Sequence, residues 1–151
     1  MRNLAGLLLL CTAFLLAECV LAQTQAPHAG TIRVGIGGLR NDRGQVVCEL
    51  FSSPDGFPTQ SEKAVARLNS AILDKKAACE FTGLAPGTYA VSVFQDEYSN
   101  GKRDRNFMGI PREGVGASNG AKGHFRPPKF NDAEFNFSGG QLDLKIILAY
   151  L

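Results

Sequence analysis

Apolar and polar side chains alternate strictly between residues 31 and 36. Ile32, Val34 and Ile36 fall on one side, and Thr31, Arg33 and Gly35 on the other, the period-two signature of a half-buried strand. A polar turn over 39–44 separates it from a second strand over 45–51. Residues 52–58 carry two Pro and one Gly, which cannot continue a ladder. Residues 77–81 and 88–95 read as another pair of strands, with Tyr89, Val91 and Val93 on one face. Between them, in Gly83-Leu84-Ala85-Pro86-Gly87, Pro sets φ and Gly supplies a positive φ for a tight turn. Residues 134–137 resume as strand, Gly139-Gly140 turns, and Leu142, Leu144, Ile146, Leu148 and Tyr150 close the chain in alternation. About seven short strands with Gly/Pro turns and no internal repeat predict an all-β fold, a single β-sandwich.

Two segments break the pattern. In 59–76, Thr59 with Glu62 fits a capping box, and Val65, Leu68 and Ile72 fit a helical face. The same residues also fit one helical turn followed by a short strand over 68–73, although local spacing favours the longer helix. Residues 96–132 have no usable periodicity. They form a Gly-, Asn- and Pro-rich loop far longer than an ordinary connection, and such a loop is costly in entropy unless something organises it.

Composition narrows the function classes. The 151 residues are 44% hydrophobic, with 16 Lys+Arg against 14 Asp+Glu, a net charge of +2. That balance excludes a nucleic-acid binder relying on phosphate neutralisation, and the apolar content excludes a disordered chain. The first residues lie outside the fold. Arg2 gives a basic start, 4–16 are almost wholly apolar, and Val20-Leu21-Ala22 offers a small side chain before Gln23. Residues 1–22 are therefore read as a signal peptide, 23–30 as a flexible leader and 31–151 as the domain. Glu18 and the cleavage triplet argue against a membrane span, although the stretch approaches the roughly 20 residues one needs. Lipid attachment at Cys19 wants a small residue immediately before it, and Glu18 is not small. The chain is expected to be periplasmic or secreted, and a monomer.

Cleavage near Ala22 removes Cys11 and Cys19 and leaves Cys48 and Cys79. In an oxidising compartment these most simply form one disulfide, contributing roughly 3–4 kcal/mol in the chain-entropy model. The alternative is a pair of buried free thiols. A metal site through these cysteines lacks a CxxC spacing and has only His28 and His124 to join it.

The long loop holds the candidate chemistry. Asp96, Asn100, Gly101 and Asp104 stand at the first, fifth, sixth and ninth places of an oxygen-ligand loop of the kind that wraps calcium, with Lys102 offering only its backbone carbonyl. Tyr98 stands where a third ligand belongs, Phe107 replaces the bidentate Glu, and Lys102, Arg103 and Arg105 reduce the attraction for a cation. The alternative makes Asn100-Gly101 a type I′ hairpin turn, with Asp96 and Asp104 pairing with bases or accepting backbone N–H bonds. Further on, Glu113, Ser118 and Asn119 lie in a glycine-rich run and are candidates for a small ligand, or else hold the loop to itself. His124 with Ser118 lacks a Gly-x-Ser-x-Gly elbow, so a catalytic triad is not supported.

The pattern Asp-Glu-x-x-Asn-Gly-Lys-x-Asp over 96–104 continues through Asn106, Gly109-Ile110-Pro111, Glu113-Gly114, Gly116, Ser118-Asn119 and Pro127-Pro128 to Phe130 and Asp132-Ala133. On these residues the chain resembles the bacterial exported family catalogued as domain of unknown function 2141. The Gly83-Leu84-x-Pro86-Gly87-x-Tyr89-Ala90-Val91 turn fits too, and is shared more loosely with transthyretin-like domains. The resemblance runs from about Ile32 to Tyr150. It implies a secreted or periplasmic sandwich of transthyretin/immunoglobulin-like type with no established activity, and one short helical turn followed by strand in 59–76. The family usually has Asn at the position of Tyr98 and aromatics around Val115 and Ala117; these departures weaken both a cation site and a stacking surface.

Three functions follow as expectations. The first is a non-catalytic binding or envelope-accessory module that uses loop 96–132, with calcium as a candidate cofactor and a small ligand or envelope protein as partner. The second is a hydrolase in which Asp96, Asp104 and Glu113 converge around a metal or water. The third is a structural accessory that recognises partners through an exposed sheet edge.

Overall fold

The computed structural model describes residues 29–123 and 126–151. The signal-peptide reading, most of the leader, His28 and His124 lie outside the described residues. Among the described residues, eight strands form two sheets: β1 (Gly30–Gly37), β2 (Gln45–Phe51), β3 (Ala66–Ala71), β4 (Ala77–Leu84), β5 (Gly87–Asp96), β6 (Val115–Ala117), β7 (Phe135–Phe137) and β8 (Gln141–Ile147). Three-residue 3-10 turns occur at Ser61–Lys63 and Ser118–Gly120, and one helical turn, α1, at Phe130–Ala133.

The first sheet has the order β4-β1-β8, with β1 antiparallel to β4 and parallel to β8. The second runs β3-β2-β5-β6, and β7 also pairs with β5. β7 lies against Gly87 to Tyr89 and β6 against Ser92 to Phe94, so the two share one edge of β5 in succession. The alternations read from sequence point inward as expected. Ile32, Val34 and Ile36 meet Val46, Cys48, Leu50, Tyr89, Val91 and Val93 in the core between the sheets.

Residues 59–76 do not form the longer helix that local spacing favours. A single 3-10 turn is followed by β3, as the family resemblance implies. No side-chain capping bond forms at that turn. The apolar spacing of Leu68 and Ile72 serves instead to pack β3 on the sandwich core. Tertiary burial outweighs local helix preference here.

A disulfide joins Cys48 in β2 to Cys79 in β4, with Cα atoms 6.5 Å apart, and so ties one sheet to the other. The sandwich is also closed at its sides. The β3–β4 hairpin passes between the sheets, and the chain beyond β8 pairs Ala149 with Val115 beside β6.

In the second sheet, β2 and most of β5 are buried on both faces. Its outer face carries a smaller apolar cluster of Phe51, Ala90, Ala117, Phe130 and Ala133, with Phe57 set edge-on between Phe51 and Phe130. The connections after β2 and β5 cover this face. The structure therefore finds order in the described residues of the stretch 96–132, which shows no periodicity in sequence, because their packing partners are distant strands.

Replacing Cys48 and Cys79 by Ala is expected to lower unfolding free energy by about 3–4 kcal/mol, read from urea denaturation of the oxidised protein and the variant.

Candidate functional site

β5 delivers three polar residues in succession to the mouth of the long loop: Gln95, Asp96 and Glu97, all buried. Asp96 Oδ1 accepts the Asn100 amide at 3.0 Å, and Oδ2 accepts the Gly101 amide at 2.7 Å and Gln45 Nε2 at 3.0 Å. Burial opposes the charge on Asp96, but the hydrogen bonds from Gln45, Gly101, Asn100 and Tyr98 outweigh it and lower its pKa. Glu97 receives Arg40 Nε at 2.6 Å, and Arg40 stacks over the Tyr150 ring at 4.6 Å. That hydrogen bond lowers the pKa of Glu97 against the effect of burial.

Gln95 Nε2 donates to Asn41 Oδ1 and to the Arg43 carbonyl, and Tyr150 donates its hydroxyl proton to Gln95 Oε1. Gly44 sits against this junction at φ +71, where a Cβ would overlap the Asp96 carbonyl oxygen; glycine is required there for both reasons.

Glu113 returns from the far end of the loop to close it. One carboxylate oxygen accepts the Glu97 amide at 2.8 Å and the other the Asp104 amide at 3.3 Å. Burial raises its pKa, the two amide bonds oppose that, and the charges of Asp104 and Asp96 add to the rise.

Arg103 forms a second anchor. Its guanidinium lies over Phe94 at 4.5 Å, donates to Glu49 Oε2 at 2.6 Å and Ser92 Oγ at 2.9 Å, and reaches the Pro58 carbonyl. Glu49, fully buried, also accepts from Ser61 Oγ and lies 3.7 Å from Arg67 Nε. Among the described residues, no buried side-chain polar atom lacks a partner.

The sequence-predicted candidates are thus distributed as follows. Asp96, Asp104 and Glu113 gather around the same stretch of backbone, each bound to loop groups. Asn100 Oδ1 accepts the Lys102 amide at 2.8 Å, and its Nδ2 points to the Asp104 carboxylate at 3.3 Å. The side-chain oxygens of Asp96, Asn100 and Asp104 are engaged with amides. Among the described residues, no group of three or more His, Cys, Asp or Glu is arranged to hold a metal ion. Asn100-Gly101 is not a type I′ turn, because the positive φ values fall on Ser99 and Gly101 rather than on Asn100.

Ser118 and Asn119 lie apart from Glu113, on the far side of β6. β6 and β7 leave a gap along β5 at Val91. Ser118 Oγ fills it, accepting the Val91 amide at 2.9 Å and donating to the Ala133 carbonyl at 2.6 Å. Asn119 donates to the Glu134 carbonyl at 2.7 Å. Two surface concavities stand out. Arg33, Gly35, Ala78, Glu80 and Asp143 line one, and Lys122, Arg126, Lys129 and Asp132 the other. Neither is lined by Asp96, Asp104 or Glu113.

Sequence reading missed Arg40, Glu49, Gln95, Arg103 and Tyr150, whose partners lie far along the chain. One signal was available: Glu49 and Gln95 are polar residues inside apolar strand runs, which points to a covered outer face. The apex of the loop was also missed. Phe107, Met108 and Ile110 are exposed there on a turn closed by Asn106.

The fold and this loop define an all-β module with a structured appendage. The model of the family described as an uncharacterized protein conserved in bacteria, domain of unknown function 2141, matches residues 34–145. The chain belongs to that family. No curated protein and no solved structure matches it.

Asp96→Asn is expected to cost about 2 kcal/mol at pH 7, the scale of hydrogen bonds to a buried charge. Because the folded pKa of Asp96 is lowered, its contribution is present above the unfolded carboxylate value and is lost as pH falls through the folded one. The gap between wild type and variant, from urea unfolding, should stay constant from pH 7 to about 5 and close on further acidification.

Proposed function

We propose that the protein is a non-catalytic binding module of the bacterial cell envelope whose contact surface is the apex of the loop between β5 and β6. The observation that carries this reading is a division of labour within the loop. Asp96, Glu97 and Glu113, its buried acids, spend their oxygens on internal hydrogen bonds, while its large apolar side chains stand in solvent. A general acid, base or nucleophile needs a reachable atom beside a cavity for substrate, and neither concavity adjoins these carboxylates. A binding surface needs a preorganised scaffold and exposed apolar contacts.

The inter-sheet disulfide suits an oxidising compartment such as the envelope, and so does the signal-peptide reading of residues 1–22. Among the described residues, no helix is long and apolar enough to cross a membrane.

The test immobilises the protein and measures retention of material from a detergent-free bacterial envelope fraction. Phe107→Ser with Met108→Ser is expected to reduce retention about tenfold or more, as for loss of a contact hot spot. Lys75→Ser, on the β3–β4 turn, should leave retention unchanged. Equal retention by both variants, or none by wild type, would contradict the proposal.

A further inference from the structure

The apex is a short two-stranded stem with a hydrogen-bonded cap. Asn106 Oδ1 accepts the amides of Met108 at 2.9 Å and Ile110 at 3.0 Å. The Asn106 amide donates to the Ile110 carbonyl and the Gly109 amide to the Asn106 carbonyl, each at 2.9 Å. Four hydrogen bonds therefore fix the conformation that turns Phe107, Met108 and Ile110 outward, with 96%, 64% and 37% of their surface exposed. A Phe almost wholly in water on an ordered turn is held against the hydrophobic effect.

Below this cap, Arg105 lies opposite Pro111 and the Arg112 amide donates to the Asp104 carbonyl at 2.9 Å. Lys102, Arg105 and Arg112 are exposed, and among the described residues none of the three forms an ion pair. The acid nearest to them in the stem, Asp104, is already bonded by Asn100. At the root, Arg103 and Glu113 fasten the stem to the sandwich. The protrusion is apolar at its tip, positive around its waist and anchored at its base.

We infer that this tip docks on an anionic phospholipid surface, with Phe107, Met108 and Ile110 entering the boundary between headgroups and acyl chains and Arg105, Arg112 and Lys102 meeting the phosphates. The inference rests on the binding-module reading and names its partner. The order of chemistry along the protrusion matches that of a membrane surface, apolar inside and anionic just above it. Long basic side chains reach the headgroup level while apolar neighbours lie deeper. A stable protein interface engages roughly 800 Å² per partner, whereas the exposed parts of three side chains on a narrow turn offer much less than that. Lipid needs no such area, because it accommodates any protruding apolar shape.

The test is co-sedimentation of the protein with vesicles of phosphatidylethanolamine and phosphatidylglycerol, compared with phosphatidylcholine alone. Binding is expected on the anionic vesicles only. Phe107→Ser with Met108→Ser should weaken it about tenfold or more. Arg105→Ser with Arg112→Ser should weaken it roughly 30-fold, about fivefold per base lost near the surface, and raised salt should weaken it too. All four positions are exposed, and unchanged melting temperatures will show that the variants fold. Binding that ignores the tip, or equal binding to phosphatidylcholine, would overturn the inference. So would absence of vesicle binding while envelope retention still depends on Phe107 and Met108; that result would leave the binding-module reading standing with a protein as the occupant. Loss of tip dependence in both assays would overturn both.

Discussion

A buried charge shapes this fold more than any apolar contact outside the central core. Glu49 stands between Cys48 and Leu50 in β2 and points away from the inter-sheet core, yet it is fully buried. A carboxylate taken out of water needs a partner and further hydrogen bonds, or it costs several kcal/mol. Arg103 supplies the partner, with Ser61 and Arg67 beside it. To do so, the chain after β5 must fold back over the outer face of the second sheet. Once there, Arg103 also covers Phe94 and takes the Pro58 carbonyl, so the loops after β2 and β5 become parts of one layer.

The same requirement explains why the β5–β6 connection is ordered despite its composition. Backbone amides in a covered loop need acceptors. Asp96 and Glu113 provide them at the two ends, and Asn100 and Asn106 provide them in between. The acidic and amide residues that suggest a cation loop in sequence thus have a structural employment. Carboxylate oxygens occupied by N–H groups hold the backbone much as ligation by a metal would.

What was legible in the sequence follows from the range of the interactions involved. The strands carrying Ile32, Val34, Ile36, Tyr89, Val91 and Val93 were readable because alternation is a local consequence of burying one face. The Cys48–Cys79 pairing was readable by elimination once residues 1–22 were set aside. The segment 59–76 was not, since Leu68 and Ile72 satisfy a helical and an extended spacing alike, and only packing against β2 decides between them. Asp96, Asn100, Asp104, Glu113, Ser118 and Asn119 were identifiable as residues with work to do. Their tasks were legible only as one of two alternatives, ligand binding or internal hydrogen bonding, because the backbone groups that several of them hold are placed by other parts of the fold. Ser118 fills a gap between β6 and β7 that no sequence pattern announces. The exposed pair Phe107-Met108 was visible in the sequence, but only a structure shows that it is not folded inward.

The loop is a rigid extension of the sandwich, fastened by Glu113 and Arg103, and native-state hydrogen exchange of the Glu97 and Asp104 amides reads that rigidity. Both amides donate to Glu113. They are expected to exchange only with sub-global or global opening in the wild type. In Glu113→Ala they should lose that protection while the Val91 and Val93 amides of β5 keep theirs. Exchange of Glu97 and Asp104 at rates typical of an open loop in the wild-type protein would mean that Glu113 does not fasten the loop.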